Sequence, residues 1–304
     1  MSITKKKLED MDIMDDFLMN AVASNKKVGE AFCRRLLSVL LQKKIGRIKI
    51  VAQRSLFPDE PGKRGIRMDV EVEEIIEEKE EEAGEDEQEN LSVERVLNVY
   101  DIEPHLKNDC HLPKRNRFYQ AKIDGRHLES GEKDFSRLPN LYMISITDYD
   151  PFGKNHMMYT FRNQCKELPE LDYEDGLQFV YFYTKGELGG CKDIKNVLKY
   201  MRNSNKDNIS DDVTREIHDY VSQVKVSPEA KVEYMKFEEI IYYERLDAKV
   251  ESILELLEEY GTVPDDIRER MEKERSASVL KKWHKLAAKV DSLEEFVEKM
   301  NPDM

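Results

Sequence analysis

The chain has 304 residues, of which 39% are hydrophobic and 37% are charged, which is typical of a globular protein with a heavily charged surface. No apolar run reaches the roughly eighteen residues that a membrane-spanning helix requires. The four cysteines show no CxxC spacing, so they predict no disulfide framework and favour a reducing, cytoplasmic compartment. The basic N-terminus is not followed by an apolar segment, so we expect no secretion signal.

The net charge of −14 is concentrated in one segment. Residues 71–89 contain twelve acidic residues and one base, Lys79, so they carry −11 and leave about −3 for the rest of the chain. Such a run is usually solvated, and we interpret residues 74–92 as a disordered acidic loop. The overall acidity therefore neither excludes nor supports a nucleic-acid partner.

Hydrophobic periodicity predicts helical structure over residues 11–45. Alternation of apolar and polar residues then predicts three strands, over residues 47–53, 66–73 and 95–103. A basic helix over 114–123 follows, with Pro113 in its first turn. Continuous apolar runs over 141–146 and 179–183 predict buried strands, the first of them central or parallel. This order of elements predicts an α/β fold with a mixed sheet.

Beyond residue 195 the pattern is helical only. Ser210 is the predicted N-cap of one helix, and Gly261 is the predicted C-cap of another. Amphipathic stripes here more often pack on each other than bind a ligand. We therefore predict a core over residues 1–195 and an all-helical C-terminal region over 196–304, through which the chain could form a homo-oligomer.

Two carboxylates on neighbouring predicted strands carry the chemistry. Asp69 lies on the polar face of one strand, while Glu103 and His105 share a face of the next, because alternate residues of a strand point the same way. If the strands pair, Asp69 and Glu103 can converge on one Mg²⁺ or Mn²⁺ ion, with the Pro104 carbonyl as a further ligand. The alternative is a solvated acidic face, which is how we interpret Glu71 and Glu73.

An ordered set of blocks between residues 65 and 189 resembles the PD-(D/E)XK nuclease superfamily. Within it, the chain is similar to the recombination-promoting nuclease and transposase family of bacteria. The matching blocks are residues 67–70, 100–103, 112–120, 128–131, 138–146, 150–153 and 159–161. The N-terminal helix and residues 282–287 also resemble this family, so the similarity extends over most of the chain.

The resemblance implies a restriction-endonuclease-like mixed sheet flanked by helices. It also implies Mg²⁺-dependent hydrolysis of DNA by an endonuclease, in the setting of recombination or a mobile element. Asp69 and Glu103 would bind the metal, and the residue two places after the glutamate would orient the water. That residue is His105, where relatives carry lysine or glutamine. An imidazole with a pKa near its reference value of about 6.5 could act as general base or hydrogen-bond donor, or could mark a site that has lost activity.

The basic helix is the predicted substrate contact. Lys114, Arg115 and Arg117 supply positive charge for contacts with DNA phosphates. Arg115 and Tyr119 lie four residues apart on one helix face, so they could flank the metal and hold the scissile phosphate. Alternatively, this pair packs against the sheet and binds acids such as Asp101.

Other patterns are weaker. Glu30 on the first helix is a minor candidate acid, because a solvated helix face is the simpler interpretation. His105, Cys110 and His111 are close in sequence, but a fourth zinc ligand at suitable spacing is missing. Two non-enzymatic hypotheses remain beside the nuclease. One is a DNA-binding or oligomerising protein with a decayed site, and the other is an interaction scaffold that binds no nucleic acid.

Overall fold

A computed structural model describes residues 6–52, 55–56, 66–67, 70–79, 92–128, 131 and 133–300. The chain separates into two compact units, Met1–Ala230 and Lys231–Met304, called here the N-terminal unit and the C-terminal unit. The N-terminal unit is α/β with a mixed sheet, and the C-terminal unit is helical. Both features were predicted from the sequence. No helix in the described part of the chain is long and apolar enough to cross a membrane.

Six strands form the main sheet, in the order β1-β4-β5-β6-β8-β7. The β5/β6 and β6/β8 pairs are parallel and form the centre of the sheet. The β1/β4, β4/β5 and β7/β8 pairs are antiparallel. Two short strands pair separately as β2 and β3. The strands are β1 Arg47–Ala52, β2 Ser55–Leu56, β3 Ile66–Arg67, β4 Val70–Lys79, β5 Ser92–His105, β6 Asn140–Thr147, β7 Met158–Phe161 and β8 Leu177–Tyr183.

Helices of the N-terminal unit contact this sheet. Helices α1 and α2 contact β1, and α1 also contacts β4. Helix α3 contacts β6 and is the connection between the parallel strands β5 and β6. Helices α4 and α5 pack on α2, so the N-terminal unit continues to Ala230, beyond the boundary predicted at residue 195. The helices are α1 Asp16–Ala23, α2 Gly29–Leu40, α3 Leu112–Asp124, α4 Lys192–Arg202, α5 Asp212–Val226, α6 Pro228–Glu258, α7 Asp265–Lys273, α8 Ala277–Ala287 and α9 Leu293–Met300.

The strands β4 and β5 are longer than their sequence pattern predicted. Their antiparallel ladder runs from Val70 opposite Ile102 to Lys79 opposite Ser92, with an irregularity between Glu74 and Ile75. Residues 74–79, assigned to the acidic loop from composition, therefore belong to a strand, because Ile75 and its neighbours pair along β5. Residues 80–91 lie outside the described part of the chain.

A buried carboxylate fixes the register of β1, β4 and β5. Glu74 accepts hydrogen bonds from the Tyr100 hydroxyl at 2.6 Å, from Asn98 Nδ2 at 2.7 Å and from the Gly46 amide at 2.5 Å. Lys43 lies over the ring of Tyr100 with its Nζ atom 5.0 Å from the ring centroid. Glu74 is therefore a structural acid within the sheet.

The C-terminal unit has its own core. Residues of α6, α7, α8 and α9 surround Trp283, the one tryptophan of the chain, in a buried cluster that includes Leu257, Met271 and Phe296. The amphipathic stripes predicted over this region thus pack on one another.

One predicted cap in the N-terminal unit is displaced by a residue. Helix α5 begins at Asp212, and its N-cap is Asp211, whose side chain accepts a hydrogen bond from the Thr214 amide. The Thr214 hydroxyl in turn accepts from the Asp211 amide, which completes a capping box. Ser210, the predicted cap, lies one residue before it, so the cap prediction was wrong by one position.

Candidate functional site

Helix α3 covers one face of the central sheet, and the candidate site lies beneath it. Tyr119 and Ile123 of α3 pack against Val99 of β5 and Leu141 and Met143 of β6. Because side chains alternate along a strand, Asp101, Glu103 and His105 share the face of Val99. All three are buried, which places two carboxylates and an imidazole under one helix.

Glu103 is the centre of this group. The residue is 3% exposed. Its Oε2 atom lies 3.6 Å from Nη2 of Arg115 and 3.6 Å from Nε2 of His105. Arg115 also lies 3.8 Å from the Asp109 carboxylate and donates from Nε to the Tyr119 hydroxyl at 3.1 Å. The structure thus brings together three of the predicted site residues, Glu103, His105 and Arg115.

His105 has a neutral imidazole in this setting. Its pKa is lowered to about 4, first by burial and then by the positive charge of Arg115, while the Asp109 carboxylate opposes the shift. The sequence interpretation used the reference pKa of about 6.5. A base with a pKa near 4 accepts protons poorly at neutral pH, so this pKa argues against the general-base role considered from the sequence.

Asp69, the second predicted metal ligand, lies outside the described residues. Its neighbour in the chain, Val70, begins β4 and pairs with Ile102, the residue before Glu103. The described antiparallel register therefore ends one residue short of both predicted carboxylates.

The Pro104 carbonyl points away from β6. The His105 carbonyl accepts a hydrogen bond from the Asp148 amide just beyond β6, and the backbone groups of successive strand residues point to opposite sides. The nitrogen and carbonyl of Pro104 therefore face the β4 side, where the described ladder ends at Val70. This explains how a proline is tolerated in a central strand, because its missing N–H falls beyond the described β4 ladder.

The sequence interpretation of Glu71 as a solvated acid was wrong. Glu71 is 0% exposed, lies directly opposite Asp101, and accepts a hydrogen bond from Arg126 Nη2 at 2.7 Å. The signal available in the sequence was parity, since Glu71 is the next residue after Asp69 on the same strand face. The contact with Arg126, which lies just beyond α3, could not be found from local alternation.

Asn116 and its partners were missed altogether. Asn116 Nδ2 donates to Ser145 Oγ at 2.9 Å and to the Tyr181 hydroxyl at 3.3 Å, which fastens α3 to β6 and β8. Asn116 shares a helix face with Tyr119, since residues three and four apart on a helix are neighbours. A polar residue on that buried face was the available signal.

The predicted nucleic-acid contacts divide into two groups. Lys114 and Arg117 are exposed on α3, as a phosphate-binding role requires. Tyr119 is 7% exposed and belongs to the core beneath α3, so it supports Arg115 through its hydroxyl and does not present a surface to DNA. Tyr119 therefore packs in the core, as the alternative interpretation expected. Arg115 lies next to an acid, as that interpretation also expected, but the acid is Glu103 and not the suggested Asp101.

The minor candidates lie apart from this group or are exposed. Glu30 forms an ion pair with Arg34 on the surface of α2. Cys110 and His111 are exposed before α3, whereas His105 is buried at the end of β5. Within the described ranges, no three His, Cys, Asp or Glu side chains are grouped so as to hold a metal ion. The predicted pair of metal ligands joins Glu103 to Asp69, which lies outside the described residues.

Comparison with known protein families, curated proteins and solved structures gives no significant match to this chain.

Proposed function

We propose that the N-terminal unit is a divalent-metal-dependent nuclease that hydrolyses phosphodiester bonds of DNA at Glu103. The supporting observation is the buried Glu103 carboxylate, within 3.6 Å of both Arg115 and His105 at the end of a central strand. Burying a carboxylate is costly, and buried ionisable groups of this kind concentrate at functional sites. The proposal agrees with the activity that the family resemblance implies.

The oxygen donors of the site suit Mg²⁺ or Mn²⁺. The Glu103 carboxylate and the Pro104 carbonyl are hard ligands, and Asp69 is the expected second carboxylate. When bound, the cation would polarise the phosphate and lower the pKa of a bound water. Because Mg²⁺ usually keeps several bound waters, two protein carboxylates are enough to bind it.

Each remaining residue has a role in the proposed hydrolysis. The attacking water gives up a proton to solvent, its oxygen bonds to phosphorus, and one bridging P–O bond breaks as the departing oxygen takes up a proton from solvent. The neutral His105 ring would orient that water by a hydrogen bond. Arg115 presents a planar guanidinium, which binds phosphate oxygens in pairs, and Tyr119 holds it in place. Lys114 and Arg117 contact phosphates on either side of the scissile one.

Nicking of supercoiled plasmid tests this function. Wild-type protein should nick in Mg²⁺ or Mn²⁺ and not in EDTA, and Asp69→Ala and Glu103→Ala should each remove nicking. Glu94→Ala is the matched control, because Glu94 lies on the same strand β5 but is exposed and paired with Arg47. Nicking that survives Glu103→Ala, or that persists in EDTA, would refute the proposed site.

A second candidate function, self-association without catalysis, is favoured by helix α6. Its Val232, Met235 and Ile240 side chains are each more than half exposed, which is unusual for apolar residues on one helical segment. Sedimentation velocity would test it, since Met235→Glu should convert an oligomer to monomer. A wild-type protein that is monomeric at all concentrations would rule this candidate out.

A further inference from the structure

An aromatic groove lies beside the candidate site. Its cavity of about 240 Å³ is lined by Pro113, Arg117, Phe152, Phe161, Phe179 and Tyr181. Ligand pockets for drug-sized molecules are larger, on the order of 300–1,000 Å³, so this groove suits a single planar ring system. Phe152 and Phe161 lie in two of the sequence blocks that resemble the nuclease family, residues 150–153 and 159–161, to which the sequence assigned no role.

The groove is built as a stacking surface. Phe152 packs edge-on against Tyr181 with ring centroids 5.0 Å apart, and the ring of Phe161 is tilted against Phe152 at 4.9 Å. The turn that carries Phe152 is fixed by Asp150, whose carboxylate accepts hydrogen bonds from the Phe152 and Asn155 amides. Phe161 is 45% exposed and offers ring surface to solvent.

The strand register connects this groove to Glu103. Ser145 is the partner of Glu103 across β5 and β6, and Tyr181 is the partner of Ser145 across β6 and β8. The three residues thus form one row, so Tyr181 lies about 10 Å from Glu103 at two strand spacings of about 4.8 Å. Neighbouring nucleotides of one strand can span this distance while a phosphate lies at Glu103.

The charge around the groove fits a polyanionic strand. Arg117 lines the groove, and Lys114 lies three residues before it on the exposed surface of α3. The Asp150 carboxylate, the acid nearest in sequence to Phe152, is occupied by backbone amides and the Tyr159 hydroxyl. Exposed aromatic rings beside cations are the arrangement that binds single-stranded nucleic acid.

We propose that this groove stacks one unpaired nucleobase of the DNA strand that is cleaved at Glu103. The inference rests on the proposed nuclease function and adds its substrate class, namely single-stranded DNA or duplex DNA with an unpaired end. A base inside a duplex has both faces covered by its neighbours, so only an unstacked base can present a face to Phe161.

Binding without metal tests the inference separately from cleavage. Affinity for a fluorescently labelled oligonucleotide of about ten thymidines would be measured by anisotropy in EDTA, since such sites cover roughly 4–16 nucleotides. Phe161→Ala should weaken binding about 5- to 150-fold, and Phe161→Trp should restore it. Phe135→Ala is the matched control, because Phe135 is 70% exposed and does not line the groove.

An abasic scan supplies the decisive comparison. At one position of the oligonucleotide, removal of the base should weaken wild-type binding by the same factor as Phe161→Ala and should not weaken the variant further. Additive losses at every position would overturn the inference, as would equal affinity of Phe161→Ala and wild type. Metal-dependent nicking with no Phe161 effect would leave the nuclease standing and refute the groove. A Phe161-dependent preference for single strands without nicking would support the groove and refute the nuclease.

Discussion

The guanidinium of Arg115 lies 3.6 Å from the carboxylate of Glu103, and its central carbon lies 5.2 Å from the ring centroid of Tyr119. One arginine on α3 thus connects the buried acid of β5 to the core beneath the helix. Its charge also acts on the neighbouring imidazole of His105, whose pKa it lowers.

Replacing Arg115 with glutamine should raise the pKa of His105 above its value of about 4. The rise follows because one of the two causes that lower the pKa is removed, while burial remains and keeps the pKa below the reference value of about 6.5. NMR titration of the imidazole protons would measure it, with His105→Ala identifying the signal. Arg117→Gln is the control, since Arg117 is exposed and is not a cause of this shift. An unchanged pKa in Arg115→Gln would contradict the arrangement.

The buried Glu74 should make stability depend on acid. Burial alone would raise its pKa, but hydrogen bonds from Tyr100, the Gly46 amide and Asn98 outweigh burial and hold the pKa below its usual value. A carboxyl with a lowered folded-state pKa stabilises the fold above its unfolded pKa of about 4.3, and this stability is lost as pH falls through the folded pKa. Chemical denaturation from about pH 6 to about pH 3 should therefore show a shallower loss of stability in Glu74→Gln.

Removing one donor to Glu74 should destabilise the N-terminal unit at neutral pH. Tyr100→Phe leaves a buried carboxylate with one hydrogen bond fewer, which typically costs about 1–3 kcal/mol of unfolding free energy. Tyr142→Phe is the matched control, because it keeps the ring that stacks on Tyr100 at 5.0 Å and leaves the Tyr100–Glu74 bond intact. Equal denaturation midpoints for the two variants would show that the bond contributes little.

The exposed cations of α3 should set the salt dependence of DNA binding. Replacing both Lys114 and Arg117 with alanine removes two phosphate contacts, so the slope of log affinity against log salt should fall by about 2. Lys281→Ala/Lys282→Ala makes the same charge change on α8 of the C-terminal unit and should leave the slope unchanged. A slope equally reduced by both double variants would point to diffuse attraction and away from a contact at α3.

The acidic segment should be removable only in part. Lys79 and Ser92 are paired across β4 and β5, so a two-residue Asn-Gly turn can close the ladder in place of residues 80–91. This variant should keep its thermal midpoint, because shortening a loop changes the closure entropy only slightly. Deleting residues 74–92 also removes Glu74 and the paired arms, and should lower the midpoint strongly. Similar melting of the two deletions would show that the arms add no stability.

Continuous apolar runs made β6 and β8 predictable, because β6 is mostly buried and β8 is buried at its centre. Strand β7, Met158–Phe161, was not predicted, since it is short, lies at the sheet edge and is partly exposed. The acidic composition around Glu74 concealed a strand, because a run of glutamates is indistinguishable from a solvated loop until its hydrogen-bond partners in β1 and β5 are known.

The sequence could predict the part of the candidate site whose residues lie close together in the chain. Glu103, His105 and Arg115 lie within thirteen residues, and their proximity followed from a strand joined to a helix. The roles of Glu71 and Asn116 depend on contacts with Arg126 and Tyr181, which lie 55 and 65 residues away in the chain. Local periodicity contains no information on such contacts, so it could not predict that these polar groups are buried.

The position of Trp283 provides a fluorescence signal that reports on the C-terminal unit. The chain has one tryptophan, and its indole is 6% exposed in the core of the C-terminal unit. Intrinsic emission excited at the red edge therefore reports melting of that helical core. Tyrosine absorbance mainly reports the N-terminal unit, because ten of the fourteen tyrosines lie before residue 231. A difference between the two transition temperatures would reveal whether the units unfold as one cooperative body or as two.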